Sequence, residues 1–448
     1  MPDDNEQPEG PTTKHDAQAR LIEQAFEAAG IAVSRHPGPV SEEPGQPVLL
    51  SQAGVGELDF LHQTGTILVR DEDIPRVQGI IGEATAVDSL IVGVTVLSLE
   101  GTRFPSTVQA LNEIDAQLGI GVATPNHVVS ITPASTCPAT EPEEVPQGAE
   151  PDPGVCLDCQ DGSGVLIHVP DTGLLRGAVA SYPWLAGVEP GNKEDPFPQP
   201  PPADPMAAYT GHGTFIAGVA KCMAPASQIV VENIFSLSGA HLESEIIRGL
   251  YGALDRSPDV ICLSAGTRTR FGLPPLAFEV FLRRLREHKG VVLVAAAGND
   301  GDRGPFWPAA FPGVVSVGAL AANWRRRASF SNFGAWVDVY APGEGLVNAF
   351  ASGDYICKEP PHAGERRTFH GMARWSGTSF ATPMVAGLIA ARMSRTGENG
   401  RQAAKALLKK ARSQTIRGVG PVLLPSLDDQ EHRGPGGGDC GHHHRRDG

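Results

Sequence analysis

Between residues 164 and 425, near-continuous apolar runs alternate with amphipathic stretches, and this alternation restricts the fold more than any other feature of the chain. "VLIHV" at 165, "QIVVENIF" at 228, "DVICLS" at 259 and "VVLVAAA" at 291 are too uniformly apolar for strands with one wet face. They read as parallel strands covered on both sides. "SEIIRGLYGALDR" and "LAFEVFLRRLREH" between them repeat their apolar residues at helical spacing. The expected architecture is α/β, a doubly wound, mainly parallel sheet covered by helices, whose loops at the carboxyl ends of the strands form the working edge.

A smaller unit precedes it. Over residues 64–132, "GTILVRD", "LIVGVTVLSLEG" and "NHVVSIT" read as strands, and "EDIPRVQGIIGEA" and "FPSTVQALNEIDAQLG" as helices. If the middle run holds two strands, the order is β-α-β-β-α-β, a small α+β ferredoxin-like unit. Residues 1–63 read as a polar, partly disordered extension. Residues 133–163, Pro-rich, acidic and without Lys or Arg, read as a solvated linker, and 426–448 as a flexible tail.

The balance of charge excludes some partners. With 51 acidic against 36 basic residues and a formal net charge of −15, neither a nucleic-acid backbone nor an anionic membrane suits the chain. No apolar run reaches the length of a spanning helix, and the acidic start "MPDDNEQPEG" is unlike a secretory leader. Seven cysteines in 448 residues are too few for a disulfide scaffold. The expectation is a cytoplasmic protein with no integral membrane segment.

Four polar residues fall at the expected working edge. Strand "VLIHV" runs through Pro170 into Asp171, a carboxylate able to orient an imidazole. "TGHGTFIAGVA" sets His212 between glycines at a helix start, uncrowded enough to act as a general base. "AAAGND" turns at Gly298 and presents the amide of Asn299, able to donate to an oxyanion. "SGTSFATPMVAG" places Ser379 at the head of a buried helix, with Pro383 expected in its first turn. Each has an ordinary structural reading as a cap or turn residue; together they form a nucleophile, base, orienter and oxyanion-donor set.

These stretches, with "SFSNFG" at 329 and "YAPG" at 340, resemble the signature blocks of the subtilases, the subtilisin-like serine peptidases. Asp171 precedes His212 by 41 residues and His212 precedes Ser379 by 167, in the Asp, His, Ser order of that family. The resemblance implies a serine endopeptidase acting on polypeptide substrates. Ser379 would be its nucleophile, His212 its base and acid, Asp171 the orienter and Asn299 an oxyanion donor beside the backbone N–H of Ser379. It further implies a peptide cleft walled by Ser264, Ala265 and Gly266 on one side and by Ala297 and Gly298 on the other. Residues 64–132 would be a propeptide-like unit acting as an intramolecular inhibitor. No cofactor is required by this chemistry; a calcium ion is open by resemblance, with no residues here assignable to it. Phe215 stands where many subtilases carry a second His.

Rival readings fit less well. "DTG" at 171 has no second copy, as an aspartic peptidase would need, and Gly377-Thr-Ser379-Phe-Ala381 lacks the closing Gly of a nucleophile elbow. Cys156-x-x-Cys159 has no second CxxC to complete a metal site. A catalytically degenerate subtilase serving as a binding module is the remaining alternative.

Overall fold

The apolar runs do form strands, and alternate residues on them feed two different cores. In the computed structural model, which describes residues 14–36, 60–131, 139–197, 205–236, 238–288 and 290–425, seven strands make one sheet. Across the sheet they run Val188–Pro190, Gln228–Asn233, Leu166–Asp171, Val260–Leu263, Val292–Ala296, Val315–Leu320 and Val339–Pro342, every pairing parallel. Val260, Cys262, Val292 and Val294 join a core with helices His212–Met223 and Thr378–Thr396. Ile261, Leu263, Leu293 and Ala295 join a second core with helices Glu243–Leu254 and Leu276–Glu287. Period-two alternation between two covered faces is what a buried parallel strand requires. From strand Leu166–Asp171 the chain goes to the edge strand Val188–Pro190, returns through Gln228–Asn233 between the two, and then crosses to Val260–Leu263 on the other side. The crevice at such a reversal is where open α/β sheets bind ligands.

The N-terminal unit has the expected β-α-β-β-α-β order, with strands Thr66–Arg70, Thr85–Ile91, Val94–Ser98 and Ala123–Thr124 in a sheet that places the first and third at its centre. Ile67, Val69 and Leu97 face its own helices, whereas Leu68, Val94 and Val96 lie on the body's second core.

Three stretches differ from the sequence expectations. The run "NHVVSIT" does not close the small sheet; Val128–Ser130 pairs antiparallel with Ala240–Leu242 of the body, where Val129 and Ile131 enter the body's second core. The extension 1–63, expected to be polar and partly disordered, contains helix Lys14–Ala28 and strand Val33–His36, paired with Phe60–Gln63. Ile22 and Phe26 of that helix pack on Val128, Ala240 and Leu242. Of the stretch read as a solvated linker, the described part is docked. Glu143–Glu144 adds a third strand to the hairpin of Leu346–Ile356 and Arg366–Trp375, and Asp152 exchanges two backbone bonds with Val347. Strand addition uses backbone groups, so an acidic, Pro-rich composition does not forbid it. Cys156 and Cys159 form a disulfide within this stretch. Residues 132–138 and 426–448 lie outside the described residues. Among the described residues no helix is long and apolar enough to cross a membrane, and no cluster of His, Cys, Asp or Glu is arranged to hold a metal ion.

Candidate active site

Strand Leu166–Asp171 delivers Asp171 at the sheet's carboxyl edge. Pro170 is accommodated because pairing with the 260–263 strand has already ended at His168. Asp171 Oδ1 accepts from Thr172 N (2.7 Å) and faces His212 Nδ1 at 2.8 Å. His212 opens helix His212–Met223 after Gly211, whose φ of 77° is left-handed and open to glycine without strain. Thr172 Oγ1 accepts from Gly213 N (3.1 Å), fastening the two loops together.

The imidazole is boxed by aromatic rings. Trp375 lies edge-on at 5.5 Å, Phe380 at 5.4 Å and Tyr209 at 6.3 Å. Phe215, where a second His was the familial expectation, packs tilted against Phe380 at 4.6 Å and backs the box. His212 Nε2 is buried with no hydrogen-bond partner. Since Nδ1 is committed to Asp171, Nε2 is the ring nitrogen left without a partner.

Ser379 is the second residue of helix Thr378–Thr396 and fully buried. Its hydroxyl makes one long contact, 3.4 Å to Ser264 O, too long to hold it firmly. Pro383 lies inside the helix rather than in its first turn as expected. Lacking an N–H, it cannot bond the carbonyl four residues back, which is that of Ser379. Ser264 Oγ donates to that carbonyl at 2.8 Å instead. A hydroxyl from the neighbouring strand thus replaces a missing helical bond and pins the Ser379 backbone to the sheet edge.

Asn299 caps the same helix from a distance. Its Oδ1 accepts from Thr378 N (2.8 Å) and from Thr378 Oγ1 (2.9 Å), satisfying an N–H that a helix start leaves open. That fixes which end of the amide faces the site. Nδ2 is buried with no partner. Thr378 Oγ1 also accepts from Gly298 N (3.1 Å), and Asn332, from "SFSNFG", braces the turn by accepting from Asp300 N and Asp302 N.

Of the expected cleft walls, Gly266 exchanges both backbone bonds with Ser130 (3.0 and 2.9 Å), and Ile131 N donates to Gly239 O. Ser264 and Ala265 lead into that edge from the strand. Ala297 and Gly298 offer no free pairing edge. Their N–H and C=O groups are bonded to Val317, Asn332 and Thr378.

Sequence reading missed Asp195. It lies in the Pro-rich stretch at 184–209 between Asp171 and His212, is 4% exposed, and accepts from Gly211 N (2.8 Å) and Phe197 N (3.0 Å), so it braces the turn that presents His212. Burial raises its carboxyl pKa to about 6, reinforced by the Asp171 charge and opposed by the two N–H donors and by His212. A lone Asp among prolines carries no local signal of that contact.

Residues 162–430 match the subtilase-family model. The chain is 34% identical over 231 residues to the thermophilic serine proteinase of Bacillus sp. (strain AK1), covering 48% of this chain and 50% of that one. It is 31% identical over 263 residues to thermitase of Thermoactinomyces vulgaris, covering 55% and 81% respectively. The chain therefore spans about half the length of the first relative. The crystal structure of fervidolysin from Fervidobacterium pennivorans, a keratinolytic enzyme related to subtilisin, aligns over 88% of this chain and 65% of that one. The TM-score is 0.56 and the identity 21%, a likeness of fold.

Proposed function

The chain belongs to the subtilase family, and on that premise we propose that it is a serine endopeptidase, made as a self-inhibited precursor. The observation that carries the reading is the pair of buried, unpartnered nitrogens, His212 Nε2 and Asn299 Nδ2, beside a serine at a helix start. Leaving a buried polar atom unpaired costs about 1–3 kcal/mol, a cost that makes sense where a substrate supplies the partner.

In the proposed reaction the Ser379 hydroxyl exchanges its long contact with Ser264 O for His212 Nε2, which takes its proton as Oγ bonds to the substrate carbonyl carbon. Asp171 holds the imidazole tautomer and offsets the imidazolium charge. Asn299 Nδ2 and the Ser379 backbone N–H donate to the oxyanion. When the C–N bond breaks, His212 passes its proton to the leaving amine; water then attacks the acyl-enzyme, giving His212 a proton that returns to Ser379 Oγ.

Inhibition is read from the tail of the N-terminal unit. Val128–Ser130 fills the strand position beside Ala240–Leu242 and Gly266, which an extended peptide substrate would use. Ala139 N already donates to Ser376 O, so maturation cleavage is expected between Ser130 and Ala139.

A serine-directed fluorophosphonate should label Ser379 alone, and His212→Ala should abolish labelling. Labelling elsewhere, with Ser379 unmodified, overturns the assignment. Mass spectrometry should find a wild-type fragment starting in the 130–139 window, formed at a rate independent of concentration, while Ser379→Ala stays full length. Wild type that stays uncut yet hydrolyses peptides removes the precursor reading and keeps the peptidase.

A further inference from the structure

We propose that Glu243 is a specificity-determining carboxylate, which makes the cleft select a cationic side chain three residues before the one paired with Gly266. The inference rests on the peptidase reading above and on the tail lying as a substrate would.

Glu243 opens helix Glu243–Leu254 and is completely buried, where a carboxylate is tolerated only with partners. Its two oxygens are matched differently. Oε1 accepts from Ala277 N at 2.7 Å, a first-turn amide of the next helix, inside the body. Oε2 faces His127 Nδ1 at 2.9 Å. Glu243 N also donates to His127 O at 2.8 Å, so backbone and side chain together grip one tail residue. Beyond this grip His127 has a 3.5 Å approach of Arg270 N to its Nε2, an edge contact with Phe60 at 5.7 Å and a backbone bridge to His62.

The tail's register turns this into a rule. Ser130 pairs with Gly266, and Val128–Ser130 runs extended along Ala240–Leu242, so side chains alternate with period two. Val129 and Ile131 are 0% and 2% exposed and lie in the body's second core. His127 shares their parity and is likewise buried. When the tail leaves, Oε1 keeps its amide, whereas Oε2 loses its partner and stands as an anionic site in the cleft wall. The pattern taken opens on a cation and has aliphatic residues two and four positions after it.

The test uses the full chain after its own processing and internally quenched peptides Asn-X-Val-Val-Ser-Ile-Thr-Ala-Ala, with X as Lys, Arg, Ala or Glu. Wild type should cleave X = Lys or Arg with kcat/KM about tenfold above X = Glu, as one charge-assisted bond implies, the difference lying in KM. Glu243→Gln keeps an oxygen for Ala277 N and should bring the ratio within about twofold. Ser379 labelling checks that the variant's site is intact, and the wild-type series reads the preference without any variant. Equal rates across X in wild type, a ratio that persists in Glu243→Gln, or labelling without cleavage of any peptide overturns the Glu243 assignment and leaves the serine-peptidase reading standing. Neither labelling nor cleavage overturns both.

Discussion

Replacing Ser264 by Ala should cost stability in one genetic background and almost none in another. The wild-type hydroxyl donates at 2.8 Å to Ser379 O, an acceptor that helix Thr378–Thr396 cannot serve because residue 383 is proline. Both serines are fully buried, so water cannot take over when the hydroxyl is removed. An unpaired buried carbonyl costs about 1–3 kcal/mol, which for a domain of this size lowers the melting temperature by roughly 2–12 °C. Pro383→Ala restores an N–H whose helical acceptor is that same carbonyl. In that background Ser264→Ala should cost less than about 0.5 kcal/mol, leaving a coupling of about 0.5–3 kcal/mol in the double-mutant cycle. The four proteins would be melted with His212→Ala added to each, so that self-digestion does not distort the curves. Equal costs of Ser264→Ala with Pro383 and with Ala at that position would refute the compensation. So would a loss below about 0.5 kcal/mol in the proline background.

Asn299→Ala should lower turnover by on the order of 10² to 10³, the loss known for the corresponding donor of subtilisin, a member of the same family. It should also lower thermal stability, because Thr378 N loses its cap; unchanged steady-state turnover would remove Asn299 from the oxyanion site. Asp195 should make stability depend on pH in a stated direction. Its carboxyl pKa rises on folding from 3.8 to about 6, so between those values the folded chain holds the extra proton and stability falls as pH rises from about 4 to about 6. Asp195→Asn removes that titration. The wild-type-minus-variant difference in denaturant unfolding should therefore decline across the window and level off above about pH 7; a flat difference would show that Asp195 does not titrate there.

The legible part of the site consists of residues at element ends. Asp171 closes an apolar strand, His212 sits in a glycine-flanked helix start, Asn299 follows a strand and a Gly turn, and Ser379 heads a small-residue helix. Each announces itself within about ten residues, because strand exit, turn and helix entry are local choices of backbone conformation. Asp195, Glu243 and the bond from Ser264 to the Ser379 carbonyl had no such signal. Asp195 meets Gly211 across 16 residues, Glu243 meets His127 across 116, and Ser264 meets Ser379 across 115.

The same division runs through the fold. Periodicity alone determined the parallel sheet, the helices over it and the β-α-β-β-α-β unit, because burial on two faces and burial on one leave different spacings of apolar side chains in the chain itself. Tertiary structure alone decided that Val128–Ser130 leaves its own sheet for the body's strand edge, and that Glu143–Glu144 joins a hairpin more than 200 residues away. Such pairings are made by backbone N–H and C=O groups, which every residue except proline carries alike. No pattern of side chains marks which edge will be free to receive them until the rest of the chain has folded.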